Sequence, residues 1–260
     1  MIQIKKLTDS TAVLTGSTSG IAFEIAAQLA EAGVPRIIIN GRNGARGADG
    51  VERIKARAPR ADIRFVEADP TEYAGAARLA EEAERTFGGV DVLVNSISGP
   101  TPPKVFHEAR PEELVRLIDA HYLSVVFVCH AMLPLLIKDG GGSIINIASD
   151  AAKIATPGES VIGGCKAATL MFSRTLALET SRYGIRVNCL TPSIVRNTPA
   201  YDRVMSSEFS RKLFEKAERK ARLGVVEPSD IAPICVFLAG PGSSKITGQG
   251  ISVNGGISAA

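Results

Sequence analysis

The chain has no tryptophan, only three histidines and four cysteines, and 5% of its residues are aromatic. Cys129, Cys165, Cys189 and Cys235 show no metal-site spacing, and each lies in an apolar strand or helix pattern, so buried free thiols are expected. The histidines are too scattered to hold a metal, and none is expected. Charge of one sign is also scarce: 30 Lys and Arg against 27 Asp and Glu leave a net +3, too little to argue for nucleic acid or a membrane surface as partner. No apolar run approaches the length of a membrane span, and the first residues run into a strand without the apolar segment of a signal peptide. A cytoplasmic location is the default expectation. What remains is 260 residues with 45% hydrophobic and 22% charged content, which fits one large globular domain with an ample core.

Short apolar runs alternate with helical patterns along this length. Thr11 to Thr15, Arg36 to Asn40, Ile63 to Val66, Val90 to Val94, Ser143 to Ala148, Ile185 to Leu190 and Thr247 to Gly256 read as strands. Ile21 to Ala32, Gly47 to Ala58, Thr71 to Phe87, Pro111 to Lys138, Glu159 to Tyr183 and Pro228 to Leu238 read as helices. The alternation predicts a single-domain α/β fold of Rossmann type, a doubly wound parallel sheet of about seven strands with helices on both faces.

Three stretches carry chemistry. Gly16-Ser17-Thr18-Ser19-Gly20-Ile21 joins the first strand to the first helix, and such a turn can offer backbone N–H groups to a phosphate at the helix N-terminus. A tight turn without a ligand is the alternative. After the second strand, no acidic residue is present to bind ribose hydroxyls. Arg42 stands there instead, and its guanidinium fork suits a 2′-phosphate, so NADP(H) is favoured over NAD(H). A solvated arginine beside Arg46 is the plainer reading. The third stretch runs from Gly142 to Leu178. Ser149 ends its strand, Lys166 follows in the next helix, and Ile162 sits four residues earlier on the same helical face. Strand-end hydrogen bonding would account for Ser149, and pairing with Asp150 or Glu159 for Lys166. Gly163 and Gly164 are unusual inside a helix, each costing about 1 kcal/mol against alanine, and point either to a close approach of backbone or ligand or equally to a disturbed first turn.

These motifs resemble those of the short-chain dehydrogenase/reductase family over nearly the whole chain, from about Leu7 to Gly256. The resemblance implies a strand-end Ser that polarises a carbonyl, here Ser149. It implies a Lys, here Lys166, that holds the nicotinamide ribose and lowers the pKa of a Tyr four residues before it. That Tyr is Ile162, and an alkyl group neither gives nor takes a proton. By the same resemblance, Gly16, Ser17, Ser19, Gly20 and Ile21 hold the cofactor, with Arg42, Asp69 beside the adenine, Asn95, Lys166 and Pro192. A third glycine of the family's turn is replaced by Ala22, and only Asn95 survives of an Asn-Asn-Ala-Gly stretch, with Ile97 and Ser98 adding bulk. Alignment on Leu133-Pro134 puts His121 in place of a catalytic Asn. A His can relay protons near neutrality, or it can simply pack between helices. Residues 194 to 223 match the family's substrate lid. Lys104, in the Gly99 to Phe106 loop, is expected in solvent unless it meets an acidic substrate.

Three readings follow. The chain is a catalytically impaired subunit that pairs with an active paralogue through its two long helices. In that respect it resembles heteromeric dehydrogenases with one degenerate subunit, including one that acts on a hydroxyacyl-CoA in aromatic breakdown. Or it is an active NADP(H) oxidoreductase using His121 as proton donor. Or it is a cofactor-independent enzyme or binding protein on the same scaffold. The partner expected in the first two is a small hydroxy or keto compound, a CoA thioester among the options, within a homo- or hetero-oligomer.

Overall fold

In a computed structural model, which describes residues 4–260, the strands assemble into one sheet of seven, ordered β3-β2-β1-β4-β5-β6-β7. They are β1 (Thr11–Leu14), β2 (Arg36–Gly41), β3 (Asp62–Glu67), β4 (Val92–Asn95), β5 (Gly142–Ile147), β6 (Ile185–Pro192) and β7 (Gly250–Val253). Every pairing is parallel. Parallel strands are covered on both faces, and the burial agrees: β1, β4 and β6 are buried at every position. The chain order reverses between β1 and β4, which opens a crevice at their carboxyl ends, the usual ligand position in such sheets.

One face carries α1 (Gly20–Glu31), α2 (Gly44–Arg57) and α9 (Pro228–Ala239), packed on Ile37, Ile39, Val92 and Ile145. The other carries α3 (Tyr73–Phe87), α5 (Ser124–Lys138) and α6 (Ser160–Thr180), packed on Val13, Ile38, Leu93 and Val187. The element bounds shift by one to three residues from the sequence expectation, and the topology holds. All four cysteines are buried free thiols.

The stretch Pro111 to Lys138 departs from expectation twice. It is not a single regular helix: α4 (Pro111–Ile118) passes through a π turn over Asp119–Leu123 before α5 begins. Its 28 residues are also long and apolar enough to cross a membrane, which corrects the reading that no run approaches that length. The apolarity has a simpler use here, because Val125, Val128, Met132 and Leu136 form the core beneath the sheet. Between β6 and α9 the chain forms α7 (Pro199–Met205) and α8 (Glu208–Glu218) over the crevice. Asn197 leads into α7 with φ 58°, the only non-glycine residue with positive φ among the described residues.

Candidate active site

The crevice is a cleft of about 590 Å³. Gly16, Ser19, Gly20 and Ile21 line it from the first turn, Ser96 to Gly99 from the loop after β4, and Ser149, Ile162 and Lys166 from β5 and α6. His121, Pro192 and the inner face of α7 and α8 close it. Gly16 has φ +60°, and a Cβ there would lie 2.6 Å from the Ser96 carbonyl oxygen, so the turn and the β4 loop touch through bare backbone. No side chain caps the N-terminus of α1, so its first N–H groups point at the cleft without a side-chain acceptor. That cradle fits the phosphates of a dinucleotide. Ala22 is buried and does not line the cleft, so its methyl packs into the core.

Not every sequence-predicted cofactor residue lines the cleft. Ser17 is fully buried, its hydroxyl donating to Leu14 O at 2.7 Å and accepting from Asn40 N at 2.9 Å, so it holds β1 to β2 and is not on the cleft. Asn95 is buried too; its amide donates to Asn146 Oδ1 at 2.9 Å and ties β4 to β5. Arg42 and Asp69 are outside the cleft, where Arg42 Nη1 reaches Asp69 Oδ2 at 3.2 Å. Burial works against the Asp69 carboxylate, but hydrogen bonds from Thr71 and Arg42 leave its pKa below the usual value. Arg46, at the start of α2, does line the cleft. Lys104 is about one-third exposed and pairs with Glu113 at 2.9 Å.

At the other end, the Ser149 hydroxyl accepts from Ala151 N at 3.2 Å. Its own O–H proton is free to be given to an oxygen in the cleft. Lys166 is buried and its ammonium donates to Ile147 O at 3.0 Å. It pairs with neither Asp150 nor Glu159: no carboxylate lies within salt-bridge distance among the described residues, and Asp150 is taken by Ser258 at 2.7 Å. Burial pushes Lys166 down to about 8, which brings its proton within reach of physiological exchange. A Cβ on Gly163 would stand 2.9 Å from Ala151 O, so this glycine lets α6 press against the turn that carries Ser149. Gly164 faces open space, and nothing in the structure explains it.

Ile162 lines the cleft one turn before Lys166. Of the four tyrosines, only Tyr201 lines the same cleft. Its phenol donates to Glu218 Oε1 at 3.2 Å, and Glu218 is itself gripped by Arg196 at 3.0 Å. The phenol is therefore committed to α8 rather than to Lys166. His121 is turned inward by the π turn, a distortion common at functional sites, and is buried. Its Nε2 accepts from Gly99 N at 3.0 Å, while Nδ1 has no partner among the described residues. Burial, then the charges of Lys166 and Arg203, push its pKa down to about 3, so it is neutral at pH 7 and has no second proton to give. His107 is exposed, and His130 is a surface residue whose Nδ1 meets the Tyr73 hydroxyl at 2.9 Å.

Two further cleft groups have no binding or catalytic role in the sequence pattern, Glu159 being named there only as a possible partner of Lys166. Glu159 lies on the same helical stripe as Ile162 and Lys166, lines the cleft, and has no hydrogen-bonding or ionic partner for its carboxyl among the described residues. Burial pushes it up to about 7. Its spacing, three residues before Ile162, was the available signal. Arg203 on α7 is the other, and no local pattern distinguishes it from the lid's many charges.

An open parallel sheet, a glycine turn at its switch point and a Ser–Lys pair at the end of β5 define a nucleotide-dependent oxidoreductase scaffold. The chain belongs to the short-chain dehydrogenase/reductase family: residues 16–258 match the family described as enoyl-(acyl carrier protein) reductase. It is 31% identical over 252 residues to the 3-oxoacyl-[acyl-carrier-protein] reductase of Chlamydia trachomatis, covering 96% of this chain and 98% of that one. Among solved structures it resembles a 3-ketoacyl-(acyl-carrier-protein) reductase from Brucella melitensis complexed with NADH, with TM-score 0.86, 26% identity and coverage of 98% and 100%. It also resembles a gluconate 5-dehydrogenase from Burkholderia cenocepacia in complex with NADP and tartrate, with TM-score 0.87, 27% identity and coverage of 98% and 97%.

Proposed function

We propose that the cleft binds NADP(H) and a hydroxy or keto compound, and that the chain turns over slowly by itself and works as one subunit of a hetero-oligomer with an active paralogue. A bound nicotinamide would supply or accept the hydride. The backbone of Gly16 to Ile21 would hold the pyrophosphate, and Arg42, with Arg46 nearby, the 2′-phosphate. Asp69 would lie beside the adenine and Pro192 beside the nicotinamide. Ser149 would donate a hydrogen bond to the substrate oxygen, and Lys166 would hold the ribose. A thioester of the 3-oxoacyl kind, named for the Chlamydia relative, is one substrate form this arrangement would take, a CoA thioester included.

The observation that carries the slow-turnover reading is the alkyl side chain of Ile162 in the cleft one turn before Lys166. General acid–base catalysis contributes about 10²–10⁴ in rate. Tyr201 is bound to Glu218, and neutral His121 accepts rather than donates at Nε2, which weighs against a histidine proton donor. A second reading rests on Glu159, whose value of about 7 suits a general acid near neutral pH. In that case the chain is active unaided.

Thermal shift with each dinucleotide tests the binding half: NADPH is expected to raise Tm more than NADH, and no shift with either at millimolar concentration would refute it. Ile162→Tyr tests the other half, with an expected gain of about 100-fold or more in carbonyl reduction. Measurable wild-type turnover that Glu159→Gln abolishes would favour the second reading instead.

A further inference from the structure

Arg203 projects from α7 across the cleft and donates from Nη2 to the Ser98 hydroxyl at 2.9 Å. It is partly buried, and no carboxylate pairs with it among the described residues. Its charge reaches His121, where burial first, then Lys166, and least Arg203 favour the neutral ring. Three groups line the same cleft: a buried ammonium bonded only to a carbonyl, a guanidinium bonded to a hydroxyl and to no carboxylate, and a histidine that carries no charge. Burial also acts against Arg203 itself, pulling its pKa below the usual value.

The rest of the lid adds to this. Lys216 and Lys220 line the cleft from α8 and its end, without ion pairs among the described residues, and no acidic lid residue lines it; Asp150 and Glu159 line it from the β5 and α6 side. Partly buried cations normally have partners, since desolvating an unpaired charge is costly. A guanidinium offers a planar fork of donors that matches a carboxylate in two-point contact. The Ser98 hydroxyl, accepting from Arg203, keeps its own proton to donate beside it. The phosphates of a dinucleotide, over Gly16 to Ile21, are the competing partner for this charge, because a Cβ on Gly20 would lie 3.6 Å from Thr198 and Pro199 at the start of α7; the NADPH arm of the test separates the two.

We propose that Arg203 and Ser98 form a carboxylate-binding subsite, so that the hydroxy or keto compound taken into the cleft carries a free carboxylate. This rests on the reading that the cleft holds such a compound, and it makes Arg203 a specificity-determining residue. Ser98 precedes Gly99, whose N–H meets His121 Nε2 at 3.0 Å, so the subsite lies on the wall that carries His121.

The test is a thermal-shift titration of the full chain, with and without saturating NADPH, using 2-oxoglutarate, 3-oxoadipate and 4-oxopimelate. These vary the distance from keto group to carboxylate. Their dimethyl esters and inorganic phosphate serve as controls. At least one acid is expected to stabilise the wild type, its ester to bind about tenfold or more weakly, and Arg203→Met to lose the same factor, with partial recovery in Arg203→Lys. NADPH affinity should stay within about twofold in both variants, which also shows that they fold. The proposal is overturned if none of the acids binds, if acid and ester bind alike, if phosphate matches the acids, or if Arg203→Met weakens NADPH as much as acid. Failure of NADPH to bind at all would refute the nucleotide reading separately, because the acids are also titrated without it.

Discussion

Ser149, Ile162 and Lys166 were legible as a constellation because strand end and helical period are local properties, and the structure brings all three to one cleft. Glu159 and Arg203 were not, since their meaning lies in missing partners, which only the tertiary arrangement reveals. His121 shows the same limit from the other side: its position was readable, but its neutral state comes from burial and from two cations on other elements. That state has a pH consequence. The folded value of about 3 lies below the ordinary 6.5, so the group contributes stability that is fully present above about pH 6.5 and is lost as pH falls toward 3. Between pH 6.5 and about 4 the loss through this ring is on the order of 2–3 kcal/mol. Urea denaturation at the two pH values is expected to show that loss in the wild type and a correspondingly smaller one in His121→Asn. Equal slopes would mean that the ring titrates normally.

At the level of elements, the strands and the helices flanking them were readable from hydrophobic period, whereas the π turn was not. A π turn adds a residue to a helix without altering its apolar spacing enough to notice, and here it decides which way residue 121 faces. The paired glycines of α6 were seen as odd, but their difference is tertiary. Gly163→Ala would force a methyl to 2.9 Å from Ala151 O and push α6 away from the Ser149 turn, while Gly164→Ala meets nothing within 4 Å. Opposite signs are expected in chemical denaturation: Gly163→Ala destabilising by about 1–3 kcal/mol, and Gly164→Ala stabilising by up to about 1 kcal/mol through helix propensity. Destabilisation by both would show that α6 is not packed as described.

For the whole molecule, the parallel sheet and its switch point followed from the alternation of strand and helix, which restricts the topology severely. Assembly is less visible in one chain. Met171 and Leu178 stand out from α6, 58% and 79% exposed and seven residues apart on one face. Association through the two long helices would cover them. Met171→Lys with Leu178→Lys is expected to shift the sedimentation coefficient to that of a monomer while NADPH binding persists; an unchanged assembly would place the interface elsewhere. The cover of the cleft raises a different matter. Glu218 holds Arg196 and Tyr201 at once, so α8 is fastened both to the start of the segment and to α7. Admission of a ligand by a pivot of the two helices about Asn197, already at positive φ, would keep the Tyr201–Glu218 bond within the moving pair and break the Arg196–Glu218 ion pair, which spans that point.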